Sequence, residues 1–149
     1  MSDDALVQTL SSIDLFEGLS SKVMKHIASE GTIRTFGAGE AVTEEGEGVT
    51  GWASFSPQGV CFYVILEGNA DVAVDGVHRA TMSAGQYFGE TSLIDGKPRS
   101  ATVVAGPDGM KAFALTAWAL KPILEEHPSV AMTMLQVLAG RLRAAEARH

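Results

Sequence analysis

Residues 85–103, with the sequence GQYFGETSLIDGKPRSATV, carry the most informative pattern in the chain. Gly85 and Gly89 bracket a short aromatic strand, and Gly89 lets the backbone turn at little steric cost. Residues 90–94 are predicted to form a single helical turn, which Asp95-Gly96 closes. Because the first amides of a helix lack internal partners, such a turn offers a site for an anion.

A cation and a carboxylate accompany this anion site. Arg99 follows Glu90 by nine residues and stands at the head of an apolar strand. An arginine in that position can complete a phosphate cradle. Glu90 would repel a phosphate, unless it accepts a hydrogen bond from a sugar hydroxyl while the cation offsets the negative charges. A ribose cyclic phosphate satisfies both requirements.

The segment closely resembles the phosphate-binding cassette of cyclic-nucleotide-binding domains. That family includes the regulatory subunits of cAMP-dependent protein kinase, nucleotide-gated channels and the bacterial catabolite activator. Its pattern is roughly F-G-E-x-[SA]-L, a variable loop, and then R-[ST/A]-A-x-V. This chain has Phe88-Gly89-Glu90-Thr91-Ser92-Leu93 and Arg99-Ser100-Ala101-Thr102-Val103, and Ile65-Leu66-Glu67-Gly68 fits a further family feature. The resemblance implies a regulatory, non-catalytic sensor that binds cAMP or cGMP, with cAMP favoured, and needs no cofactor.

The resemblance implies seven ligand-binding positions, which are Gly89, Glu90, Thr91, Ser92, Arg99, Ser100 and Arg141. In the family, the cassette glutamate takes the ribose 2′-hydroxyl and the cassette arginine pairs with an equatorial phosphate oxygen. Backbone amides at the turn lie near the phosphate, and Ser100 adds a hydroxyl contact to the phosphate or the base. Arg141 falls where some bacterial members place a helix arginine close to the cassette glutamate.

The expected fold is mainly β with flanking helices: a β-barrel or jelly roll in a single domain over residues 1–149. N-terminal helices are predicted in 1–31, the barrel in 32–116 and two C-terminal helices in 117–149, with Ser20 or Ser21 capping the second helix and Ser129 the last. Short apolar runs separated by glycine or Asp/Asn predict the strands. These strands are 32–36, 40–44, 59–67, 70–74, 78–82, 100–105 and 110–115.

The final helix carries an apolar stripe spaced 4, 3, 4, 3 along the chain. Its members are Ala131, Leu135, Leu138, Leu142 and Ala145. This heptad-like spacing is compatible with packing on the barrel and with a homodimer seam. A ligand-free interaction or dimerisation domain of the same fold is therefore the alternative function.

Composition and motifs argue against several other functions. The formal net charge of −7 disfavours binding to duplex nucleic acid, which requires a basic face. The four histidines form no metal-binding pattern, and nothing indicates catalysis. The acidic start is unlike a signal peptide, and no apolar run approaches the length of a membrane span. A cytoplasmic location is the resulting expectation.

Two features depart from the family. Residues 47–59 replace a short glycine turn with a longer segment that contains Trp52 and Phe55. These aromatics either pack on the barrel or form a flap over the base or a partner contact. Ala145 stands where the bacterial activator has a polar residue that reads adenine, so one base-selective contact is missing.

Overall fold

The structure is a computed structural model of the chain, and it describes residues 3–43, 61–89 and 101–147. The chain divides into two compact units. One unit is Ser29–Leu120, and the other combines Met1–Ala28 with Lys121–His149.

An antiparallel sheet of six strands forms the larger unit. Its strands are β1 (Thr32–Phe36), β2 (Ala41–Thr43), β3 (Cys61–Val74), β4 (Val77–Ser83), β5 (Tyr87–Phe88) and β6 (Thr102–Thr116). The long strands β3 and β6 pair from Cys61↔Thr116 to Ala73↔Thr102. The outer edge of β6 carries β1 and β2, and the outer edge of β3 carries β4 and β5. The predicted fold class, mainly β with flanking helices, is confirmed.

Two predicted strand breaks are wrong. The runs predicted as 59–67 and 70–74 belong to one strand, which is described from Cys61, and those predicted as 100–105 and 110–115 belong to one strand that begins at Thr102. Gly68 and Gly109 bend these strands without ending them, each with φ of +79°. The β3–β6 register shifts on both sides of Gly68, as at a β-bulge. Here glycine marks a bulge inside a strand, although the same residue type often marks the end of a strand.

The core of the sheet combines a few large side chains with several alanines. Its buried members are Phe36, Tyr63, Ile65, Ala70, Phe88, Val103, Ala105, Met110, Ala112 and Ala114. The opposite face of β3 is buried as well, because Phe62 and Val64 are fully inaccessible to solvent. Burial on both faces explains why the first half of β3, residues 61–66, is an unbroken apolar run and lacks a period-two pattern.

A two-residue turn, Asp75-Gly76, joins β3 to β4. Both residues have positive φ, +53° and +77°. Right-twisted strands joined by two residues favour a type I′ turn, which requires positive φ at both positions. The turn brings Val74 opposite Val77 and fixes the register of the hairpin.

The helices are α1 (Asp3–Ser11), a 3-10 helix (Asp14–Phe16), α2 (Ser21–Glu30), α3 (Ala117–Glu126) and α4 (Pro128–Glu146). Within the helical unit, the 3-10 helix contacts both α1 and α4. Its Leu15 and Phe16 are buried, as are Val130 and Met134 of α4. The start of α2 is capped as predicted, because the Val23 amide donates to the Ser20 hydroxyl oxygen at 3.2 Å.

The predicted start of the last helix is wrong by two residues, because the N-cap is His127 and not Ser129. The helix begins at Pro128, and Ser129 already lies inside its first turn. Proline suits the first helical position, because its fixed φ is helical and its missing N–H would have no partner there. His127 occupies the N-cap position without a side-chain capping bond.

We expect Gly68→Ala to lower the free energy of unfolding by roughly 2–5 kcal/mol. The new methyl group would need a left-handed backbone and would collide with the carbonyl oxygen of Gly109. Gly39→Ala is the matched control, since Gly39 also has positive φ but no atom within 4 Å of the added carbon. Urea unfolding followed by circular dichroism measures both, and equal losses would contradict the bulge contact.

Candidate ligand-binding site

The strand that leads into the cassette, β5, is held on the edge of β3. Phe88 lies opposite Tyr63, and Tyr87 lies opposite Val64. Backbone hydrogen bonds continue this attachment, because the Ile65 amide donates to the Gln86 carbonyl oxygen and the Gly85 amide to the Ile65 carbonyl oxygen, each at 2.9 Å. The predicted short aromatic strand between Gly85 and Gly89 is thus present.

Both aromatic side chains of β5 are buried, and each contacts a ring on β3. The Phe88 and Tyr63 rings are stacked, with centroids 5.2 Å apart and planes 21° apart. The Tyr87 and Phe62 rings lie 5.3 Å apart at a tilt of 56°. Because neighbouring residues of a strand point to opposite faces, these contacts fasten β5 on both sides of the sheet.

Gly89 follows β5 directly and has φ of +93°. Side chains other than glycine rarely adopt this region, so the residue type and the turn explain each other. The turn ends the strand immediately before Glu90 in the sequence. The backbone therefore changes direction at the first residue of the predicted anion site.

The chain downstream of the cassette is held by the same central strand. Thr102 and Val103 of β6 pair with Ala73 and Val72 of β3. The buried hydroxyl of Thr43 donates to the carbonyl oxygen of Ala101 at 3.4 Å. Residues 90–100 therefore connect two points, Gly89 and Ala101, that the sheet holds in place.

The structure describes two of the seven predicted ligand-binding positions. Gly89 ends β5 in the sheet unit, and Arg141 lies on an exposed part of α4 in the helical unit. The other five lie outside the described residues, as do the predicted helical turn at 90–94 and the segment 47–59 with its two aromatic residues. Those five are Glu90, Thr91, Ser92, Arg99 and Ser100.

Sequence reasoning missed two residues that are linked to the strand leading into the cassette, Arg34 and Tyr63. The Arg34 guanidinium donates a hydrogen bond to the Tyr63 hydroxyl oxygen at 3.1 Å. One signal was available, because alternation along β1 places Arg34 and Phe36 on the same face. The pairing of Arg34 with Tyr63 was not visible, since it requires the register of three strands.

A comparison with protein families decides the assignment. Residues 56–127 match the family model described as "Cyclic nucleotide-binding domain". The region belongs to the cyclic nucleotide-binding domain family. The match includes the cassette and both strands that hold it.

Relatives of the cyclic nucleotide-binding domain support this assignment. The chain is 35% identical over 100 residues to a cAMP-dependent protein kinase regulatory subunit of Mycosarcoma maydis, covering 64% of this chain and 17% of the relative. It is 31% identical over 98 residues to a cGMP-dependent protein kinase of Eimeria tenella, covering 66% of this chain and 9% of the relative. These relatives are therefore much longer than the chain.

A solved structure extends the likeness beyond the family model. The crystal structure of the Thermus thermophilus catabolite activator protein matches with a TM-score of 0.73 and 27% identity. The match covers 90% of this chain and 60% of that protein. It therefore includes most of the helices that flank the sheet.

Residues 3–43, 61–89 and 101–147 contain neither a metal-binding cluster nor a helix that could span a membrane. No group of three or more His, Cys, Asp or Glu side chains there could hold a metal ion. None of the described helices is both long enough and apolar enough to cross a membrane.

Proposed function

We propose that this cyclic nucleotide-binding domain binds a cyclic nucleotide in the segment 89–100 and acts as a regulatory sensor, with cAMP favoured over cGMP. The observation that carries the proposal is the turn at Gly89, with its φ of +93°, between the paired strand β5 and Glu90. This turn is where the family pattern places its glycine. The names of the relatives support a regulatory role, and one names cAMP and another cGMP.

In the proposed complex, different residues contact different parts of the nucleotide. Glu90 accepts a hydrogen bond from the ribose 2′-hydroxyl, and Arg99 pairs with an equatorial phosphate oxygen. The amides of Gly89, Thr91 and Ser92 line the phosphate. In addition, Ser100 donates its hydroxyl to the phosphate or the base, and Arg141 adds positive charge from α4.

The proposed output is a change in the C-terminal helices. If the nucleotide binds one arrangement of residues 117–149 more tightly than another, the ligand shifts the population toward that arrangement. We propose binding without catalysis, cofactor or metal, in the cytoplasm. The net charge of −7 gives no support for nucleic acid as a direct partner.

We expect Arg99→Ala to weaken nucleotide binding by roughly 30-fold or more, because removing one partner of a desolvated charge pair costs about 2–5 kcal/mol. The measurement is calorimetric titration of nucleotide-stripped protein with cAMP and, separately, with cGMP. The tighter ligand identifies the signal.

Arg79→Ala is the matched control, because it removes the same charge from an exposed position on β4. It should bind like the unmodified chain. Unchanged affinity in Arg99→Ala would overturn the cassette assignment. Absence of binding by the folded, unmodified chain at two temperatures would favour the interaction domain instead.

The alternative function, dimerisation or interaction through the last helix, is favoured by exposed apolar side chains on α4. Leu135 and Leu142 are 57% and 60% exposed. They are seven residues apart, so they lie on one face of the helix. The buried residues of this helix, Val130 and Met134, are a different set, which leaves the leucine stripe accessible. We propose a homodimer in which two such stripes pair.

We expect the double substitution Leu135→Glu and Leu142→Glu to yield a monomer, because four carboxylates would then face each other across the seam. Gln136→Glu with Ala144→Glu adds the same charge at exposed positions on the other side of the helix and should leave the dimer intact. Sedimentation velocity with and without cAMP measures both. A monomeric unmodified chain under both conditions would contradict the homodimer.

A further inference from the structure

Arg34 contacts one end of an aromatic cluster that includes Phe88 of β5, the strand leading into the cassette. The guanidinium carbon of Arg34 lies 5.3 Å from the centre of the Phe36 ring and 6.0 Å from that of Tyr63. Its Nη1 also donates to the Tyr63 hydroxyl oxygen at 3.1 Å. A cation over a ring face is attracted by the ring quadrupole. Arg34 therefore holds Tyr63 by both its ring and its hydroxyl group.

This contact crosses an intervening strand and depends on two small side chains. Arg34 belongs to β1 and Tyr63 to β3, and both strands flank β6. Their backbones are thus two strand spacings apart, roughly 10 Å. On β6 the residues opposite them are Ala112 and Ala114, both buried. Because these side chains are single methyl groups, the arginine can reach the tyrosine above them.

The cluster continues from Tyr63 to the strand that enters the cassette. The Phe36 ring meets Tyr63 edge-on, with centroids 6.1 Å apart and planes 76° apart, and Tyr63 stacks on Phe88. We call Phe36, Tyr63 and Phe88 the aromatic stack. Since β5 has only two residues, its ladder is short, and ring contacts supplement it. Phe88 is bonded to Gly89, where the backbone turns.

We propose that Arg34 is a positioning residue for the cassette: by holding Tyr63 against Phe88, it fixes the backbone at Gly89 and thereby raises affinity for the nucleotide. This inference rests on the proposed function. Arg34 acts through the aromatic stack and is not itself a ligand contact. A binding site requires its supporting residues to be held within about 0.5 Å, so a loosened stack weakens binding without abolishing it.

The test measures affinity of folded, nucleotide-stripped variants for cAMP by calorimetry. Arg34→Met keeps the length of the side chain but removes the cation, and we expect binding to weaken by about 3- to 10-fold. Arg34→Lys retains a cation above the rings and should recover part of this loss. Tyr63→Phe removes the hydroxyl acceptor. Combined with Arg34→Met, it should add little further loss, because both changes remove the same interaction.

Arg79→Met is the matched control, because it removes an equal charge from an exposed residue of β4 outside the stack. Urea unfolding of every variant at the titration temperature checks that each variant is fully folded in the absence of urea. A purely structural role would lower the unfolding midpoint and leave the affinity of the folded protein unchanged.

Three outcomes overturn the inference, and they are distinguishable. If the unmodified chain binds cAMP and Arg34→Met binds it equally tightly, Arg34 has no positioning role, but the proposed function stands. If Arg79→Met loses as much affinity for cAMP as Arg34→Met does, the effect comes from the change in net charge. If the unmodified chain binds neither cAMP nor cGMP, the proposed function fails and this inference fails with it.

Discussion

The antiparallel pairing of β3 with β6 is the constraint on which the rest of the sheet depends. Within the described residues, every other strand pairs with the outer edge of one of these two. The pairing also holds both ends of the cassette, since β5 lies on β3 and the start of β6 lies opposite Val72 and Ala73. The segment between these two ends is therefore anchored on both sides by the central pair of strands, and loops anchored in this way tolerate sequence change without loss of the scaffold.

Local patterns in the sequence predicted the local features of this fold. The strand at Tyr87–Phe88, the turn at Gly89 and the Ser20 cap each depend on a few consecutive residues, so the residue types were sufficient. The lengths of β3 and β6 were not predictable in this way. Whether a glycine such as Gly68 ends a strand or bends it depends on the partner strand, whose Gly109 carbonyl oxygen lies where a side chain at position 68 would begin.

The candidate site likewise has a part that could be predicted from local sequence and a part that could not. The cassette is contiguous, so its ligand-binding types could be named from sequence, and Glu90 and Arg99 remain predictions. Arg34 and the aromatic stack come from β1, β3 and β5, and these residues are far apart in the chain. From the sequence alone, Ala112 and Ala114 are ordinary core residues. Only the strand register shows that their small side chains lie between Arg34 and Tyr63 and allow the two to meet.

The hairpin closed by Asp75-Gly76 has a consequence for how the chain folds. Its strands β3 and β4 are adjacent in sequence and joined by the shortest common loop, so this pairing closes at small entropic cost. The pairing of β1 with β6 instead joins residues about 80 positions apart, and such high contact order slows folding. We therefore expect the hairpin to form early. We expect the ladder between β1 and β6, and with it the contact between Arg34 and Tyr63, to form later.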